Sequence, residues 1–210
     1  MWLLVLFRPT MMPMAIAARL TDIYGHPIDI DRPMTADEFL EIVDRLPYRA
    51  ELIDGEVVMC SPSYRHQDTV LELAVRLRSW VKAAPGRGLA GIDVSKKLDH
   101  NSVYRPDVWW FCERRKPSLE LKYSEVPPDI AVEVLSPGTR EKDLGIKRET
   151  YERRGLPELW VIDPLVGATV WRRSAADHPA FDELVKVGLK DLFESPQLPG
   201  FSVRLDDLFQ

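Results

Sequence analysis

The chain has 210 residues, 45% of them hydrophobic and 29% charged, with 17 prolines. That balance fits one globular domain able to bury a sizeable core and excludes a disordered or fibrous chain. The net charge of −5 gives no general attraction to nucleic acid, so contact with DNA would need a local basic patch. The first twenty residues, MWLLVLFRPTMMPMAIAARL, are strongly apolar, but no positive residue precedes the run and Arg8-Pro9 breaks it after seven residues. No stretch reaches the roughly 18–20 apolar residues of a membrane span. Residues 1–33 are therefore expected to be a loosely ordered tail or an overextended start, and 34–210 a single domain. Cys60 and Cys112 have no metal-type spacing and read as reduced, buried thiols of a cytoplasmic protein.

The first element is a helix in TADEFLEIVDRL, where Thr35 and Glu38 make a capping-box pattern ahead of an apolar stripe. ELIDGEVVMCS reads as a hairpin turning at Asp54-Gly55. A long amphipathic helix follows in HQDTVLELAVRLRSWVKAA, with Val70, Leu71, Leu73, Ala74, Leu77 and Trp80 towards one face and Pro85-Gly86 as its stop. Three β segments come next, at 88–98, 103–112 and 129–135. A helix is expected over about 141–154 with Gly155 just past its end, packing through Leu144 and Ile146. ELWVID (158–163) reads as a strand, ATVWRR with FDELVKV as a hairpin, and FSVRLDDLF as a short closing element. This order implies an α/β (α+β) fold with a mixed central sheet flanked by helices and extra hairpins.

DIAVEVL contains the feature that points to chemistry. Side chains alternate faces along a strand, so Ile130, Val132 and Val134 share one face while Ala131, Glu133 and Leu135 share the other. Both faces are apolar apart from Glu133, the pattern of a central strand in a covered sheet. A carboxylate there needs neutralisation, an ion pair or a metal; pairing with an arginine, or a place at the strand's exposed end, would suffice. A second acid, Asp107, opens the apolar run VWWF, 26 positions earlier. Its RPD setting also reads as an ordinary turn. Were the two strands neighbours, about 4.8 Å apart, both acids could converge on one divalent cation, and hard oxygen ligands suit Mg²⁺ or Mn²⁺. In the helix after Glu133, Asp143, Lys147 and Tyr151 fall four residues apart along one face. Lys147 could reach back to the strand ends, or make only a surface pair with Asp143.

Taken in order, ELIDGE, SPSYRHQ, RPD, EVLSPGTREKDLGIKRETY and GLPELWVIDP resemble the Uma-two family of the PD-(D/E)XK, restriction-endonuclease-like superfamily. The resemblance runs from about Met34 to the C-terminus. It implies a restriction-endonuclease-like core and a metal-dependent phosphodiesterase site. Asp107 matches the acid of the PD motif and Glu133 the acid of the (D/E)XK half-motif. Leu135 stands where that half-motif has its lysine, and Lys147 is the migrated replacement, since its four-carbon stem can reach in from a neighbouring element. The resemblance also marks Glu51 and Glu56 as further metal or water ligands and His66 as a phosphate contact or base, imidazole ordinarily titrating near neutrality. Asp143 and Tyr151 would orient Lys147. Asp163 reads as structural.

The function expected is hydrolysis of DNA phosphodiesters, with Mg²⁺ or Mn²⁺ on Asp107 and Glu133 and with Lys147 steadying the transition state. DNA would approach over a local basic rim drawn from Arg140, Lys142, Arg148, Lys96, Lys97, Arg172 and Arg173. The apolar tail and six tryptophans permit a homodimer, which nucleases of this fold often form. The rival reading is an inactive nuclease fold serving as a binding or scaffold module, kept open by Leu135. A serine hydrolase using Ser136 lacks the G-x-S-x-G elbow, and a cofactor-binding enzyme lacks a Gly-rich phosphate loop.

Overall fold

Thr35 caps the first helix as its sequence pattern predicts: its hydroxyl accepts the Glu38 N–H at 3.2 Å while Glu38 accepts the Thr35 N–H at 2.8 Å. This computed structural model describes residues 20–136, 138 and 140–209; the expectation for the tail falls mostly on residues 1–19, outside that range. Helix α1 (Ala36–Ile42) is followed by the hairpin β1 (Ala50–Ile53) and β2 (Glu56–Met59). The hairpin turns on Asp54 at φ 50° and Gly55 at φ 83°, the left-handed pair that a two-residue turn requires. Helix α2 (Tyr64–Lys82) starts at Ser63, whose hydroxyl accepts the His66 N–H. Val70, Leu73 and Leu77 are buried along it, whereas Leu71, expected on the same face, is exposed.

Two segments expected to be single strands are each two. Residues 88–98 divide into β3 (Leu89–Ile92) and β4 (Lys96–Asp99), and 103–112 into β5 (Ser102–Tyr104) and β6 (Val108–Phe111). In each case the halves belong to different sheets. The chain changes sheet at Asp93, which has φ 50°, and again around Pro106, whose missing N–H cannot extend a ladder. Next come β7 (Ile130–Val134), β8 (Glu158–Asp163), β9 (Gly167–Arg172), β10 (Glu183–Gly188), β11 (Leu192–Glu194) and β12 (Ser202–Arg204). The main sheet has the order β10-β9-β8-β7-β6-β3, and a smaller one runs β2-β1-β5-β4. Only β7 and β8 pair in parallel in the main sheet, and they are joined by the helical crossover such a pair needs. That gives the mixed α/β sheet expected.

All five residues of β7 are buried. On one face Ile130, Val132 and Val134 join Trp160, Ile162 and the α2 residues Val70, Leu73 and Leu77 in the largest apolar cluster. On the other, Ala131 and Leu135 pack with Leu159, Val161, Tyr104, Tyr151 and Leu156. Glu133 projects into this second face. The crossover is not one regular helix. It runs through Arg140–Lys142, a wide π turn at Asp143–Lys147 and a final helix at Arg148–Arg153, with Gly145 at φ −102°, ψ −106° inside the wide turn. Arg154 and Gly155, at φ 76°, close it. Ile146, expected to pack, is exposed, while Asp143 and Lys147 are buried.

Candidate active site

The antiparallel pairing of β6 with β7 sets Val108 opposite Val132, so Asp107, one residue before, falls beside Glu133. Both carboxylates line one small cavity at this end of the sheet, of about 20 Å³, together with Glu51, His66, Asp143 and Lys147. Such a volume holds one water-sized particle.

Two arrangements of charge meet there. Around Glu133, the Lys147 ammonium lies 2.9 Å from Glu133 Oε1, 3.0 Å from Glu51 Oε2 and 3.1 Å from Asp143 Oδ1. Tyr151 donates its hydroxyl to Glu133 Oε1 at 2.8 Å. Glu51, on β1, also accepts the Arg105 N–H at 2.5 Å, tying the small sheet to the crossing between β5 and β6. Lys147, Glu51, Glu133 and Asp143 are each no more than 3% exposed. The Asp143–Lys147 pair is therefore a buried one, part of a network of three acids and one base. Burial pushes the Glu133 carboxyl well above its usual range, and Glu51, Asp143 and Asp107 add to this against the pull of Lys147. Burial would release the Lys147 proton, but the three acids hold it and raise the ammonium above its ordinary value.

Asp107 behaves oppositely. Burial would raise it, yet it ends below the carboxylate range. His66 Nε2 is 3.2 Å from its Oδ2, the Val134 N–H donates to the same oxygen at 2.8 Å, and an Arg49 Nη2 donates to Oδ1 at 3.3 Å. Arg49 also bonds Asp93 Oδ1 at 2.6 Å and the Arg105 carbonyl. Sequence reasoning passed over Arg49. Its signal was its spacing: it precedes Glu51 by two residues, which puts both on one face of an extended chain. The His66 Nδ1 atom is buried with no hydrogen-bond partner among the described residues.

Of the residues singled out in the sequence, Asp107, Glu133, Lys147, Glu51, His66 and Asp143 line the cavity, and Tyr151 stands behind Glu133. Glu56 does not join them; it is exposed at the start of β2, opposite Ile53. Asp163 takes an ion pair from Arg140 at 2.6 Å. Three members of the expected basic rim are also misplaced, Arg172 among them, paired with Glu158 and Glu183 away from the carboxylate cavity. Lys96 is buried above the Trp109 ring, and Arg173 is buried with its donors turned to the carbonyls of Leu156, His178 and Glu152. Cys60 and Cys112 are free but only half-buried.

No group of three His, Cys, Asp or Glu side chains among the described residues is disposed as a ready metal site, since the Lys147 ammonium stands among three of the acids. The donor chemistry nevertheless fits a hard cation: carboxylate oxygens, more acids than bases, and room for one small particle.

A family model described as "Putative restriction endonuclease", Uma2, matches residues 36–206. The chain belongs to this family. Among solved structures it is similar to one described as "a putative nuclease belonging to DUF820" from Anabaena variabilis ATCC 29413, with TM-score 0.69 and 23% identity over 84% of this chain and 98% of that one. The fold is thus that of the restriction-endonuclease-like nucleases. A comparison with curated proteins gives no match. No described helix is long and apolar enough to cross a membrane.

Proposed function

We propose that the protein is a divalent-metal-dependent nuclease hydrolysing DNA phosphodiesters at the Asp107–Glu133 cavity. The observation that carries this reading is the meeting of two acids from adjoining strand ends with a protonated amine 2.9 Å from one of them, in a chain of this family. Asp107 and Glu133 would hold the ion. What it supplies when bound is Lewis acidity, stabilising charge on a phosphoryl oxygen and making a water more acidic.

The protein's own groups divide the remaining work. Asp107 stays ionised under His66 and Arg49, so it is a permanent anionic ligand. Burial pushes the Glu133 carboxyl above its usual range, and Lys147 with Tyr151 fixes its orientation. Lys147 stays charged and presents positive potential where a phosphoryl oxygen would gain charge. His66 faces both this cavity and the adjoining groove of about 480 Å³, lined also by Arg65 and Arg140. Those two arginines form the approach for a phosphate backbone, and binding there would weaken steeply with salt. A scaffold role is the second reading, favoured by the engagement of Lys147 with three carboxylates.

The test is cleavage of single- and double-stranded DNA and RNA by purified protein with Mg²⁺ or Mn²⁺, beside calorimetric titration of Mn²⁺. Asp107→Ala and Glu133→Ala should each lose about 10²-fold or more of the cleavage and weaken Mn²⁺ binding. Wild-type protein that neither binds Mn²⁺ nor cuts any substrate would sink the nuclease reading in favour of the scaffold.

A further inference from the structure

A second, wider cavity lies at the other end of the same strands. Just before β7 and β8, at Asp129 and Pro157, a hollow of about 750 Å³ is lined by Arg114, Arg115, Arg172 and Arg173. From Asp129 to Glu133 the strand advances about 13 Å at ~3.3 Å per residue, so this hollow is separate from the carboxylate cavity. Four arginines and two acids, Asp129 and Glu183, line it, in a chain whose net charge is −5. Arg173 turns its donors to backbone carbonyls, which leaves Arg114, Arg115 and Arg172 to face a ligand. Local positive charge against the sign of the whole chain calls for an explanation.

Cross-strand register supplies part of it. Arg172 on β9 sits opposite Glu158 on β8 and Glu183 on β10. Its Nη2 bonds Glu158 Oε1 at 3.0 Å and its Nη1 lies 3.6 Å from Glu183 Oε2. Arg115 is held by Asp129 at 2.7 Å and by the Pro127 carbonyl at 2.9 Å. These pairs fix the guanidinium groups in place without exhausting them, since each carries five N–H donors. The Arg172 Nε is buried and has no hydrogen-bond partner among the described residues. Arg114 is exposed at the rim, with neither an ion pair nor a hydrogen bond among them. Ser174 and Gln197 add neutral polar groups to the wall.

The geometry points to a binding site for a small phosphate-bearing ligand of nucleotide size. Planar guanidinium forks match phosphate oxygens in pairs, and groups already held in place lose little entropy on binding. The volume falls within the roughly 300–1,000 Å³ typical of small-molecule pockets. A concave hollow of this size suits a terminal phosphate better than the continuous backbone of a duplex. The inference does not depend on the nuclease reading.

Isothermal titration of the full chain with AMP, inorganic phosphate and adenosine, at low salt, tests it. AMP and phosphate should bind and adenosine should not. Arg114→Ala, which removes an exposed, unengaged group and leaves the fold intact, should weaken AMP about tenfold or more. Arg172→Gln should do the same where it folds. The proposal is overturned if neither phosphate probe binds, or if Arg114→Ala leaves AMP affinity unchanged. Loss of AMP binding in Arg140→Ala but not in Arg114→Ala would assign the phosphate to the groove beside the carboxylates, and the proposal would fail. A 12-base-pair duplex that binds through Arg114 while AMP does not would likewise defeat it, leaving a backbone contact instead of a pocket.

Discussion

The two ends of β7 handle buried charge in opposite ways. At the Glu133 end, three carboxylates share one ammonium, and every contact of that ammonium is taken. At the Asp129 end, arginines outnumber the acids that line the hollow, and Arg172 keeps a buried donor in reserve. The first end has unmet capacity for positive charge and the second for negative charge. Both are built on the same pair of parallel strands, so the difference comes from the residues that follow and precede them. The lesson is that a buried network reveals its partner through its imbalance. A balanced cluster can be purely structural, whereas an unbalanced one keeps desolvated charge that a ligand or proton must relieve.

Removing the single base should therefore produce the largest effect. Lys147→Met leaves Glu51, Glu133 and Asp143 without their common cation, and it should cost about 3–5 kcal/mol in urea unfolding near pH 8. The sign with pH follows from Glu133, whose folded pKa is raised. Above the ordinary carboxyl range the folded state then holds more protons than the unfolded one, so stability falls as pH rises until the raised folded pKa is passed. The deficit of Lys147→Met should shrink on acidification. A deficit independent of pH would mean that the acids are not crowded, and the contrast between the two ends would be lost.

A smaller loss is expected at the arginine end. Glu158 is fully buried and accepts from Trp160 Nε1 at 2.8 Å, Arg172 Nη2 at 3.0 Å, Ser195 Oγ at 2.8 Å and Gln197 Nε2 at 3.0 Å. Glu158→Gln keeps the shape but sets an amide among four donors, which should cost about 2–3 kcal/mol, measured in the same unfolding series. A loss matching that of Lys147→Met would show that the arginines depend on this acid as heavily as the acids depend on Lys147.

How much of this was legible in the sequence varied with the kind of signal. Alternation in DIAVEVL placed Glu133 in a covered strand, and the spacing of Asp143, Lys147 and Tyr151 placed them on one side of a helical turn. Both follow from backbone periodicity, which is local. The sheet changes at Asp93 and Pro106 were not legible, because a continuous β-like run does not say which sheet each half joins. Arg49 and the true place of Lys96 were missed for the same reason. Their partners, Asp107 and the Trp109 ring, lie 58 and 13 positions away, and only long-range pairing brings them near. The arginine hollow was hidden most fully. Arg172 and Arg173 read in the sequence as members of a basic rim for DNA, and the acids that hold Arg172 become neighbours only once β8, β9 and β10 are aligned.

Lys96 supplies the limiting case, a buried base with no acid at all among the described residues. Its Nζ lies 4.2 Å from the Trp109 ring centroid and 5.2 Å from that of Phe111, and burial brings the amine down to about 7. Below that value both folded and unfolded chains hold the proton, and the full cost of burying the ammonium is present. Between about 7 and the ordinary value of 10.5 only the unfolded chain holds it, so stability rises with pH across this window. Lys96→Met keeps the stem and removes the charge. It should stabilise the protein by several kcal/mol near pH 6, at about 1.4 kcal/mol for each unit between the two values, and the gain should fade towards pH 10. Paired thermal melts at the two pH values measure it. A variant less stable than wild type near pH 6 would mean that aromatic faces alone can balance a buried ammonium, and charge imbalance would then be no guide to what either end of β7 binds.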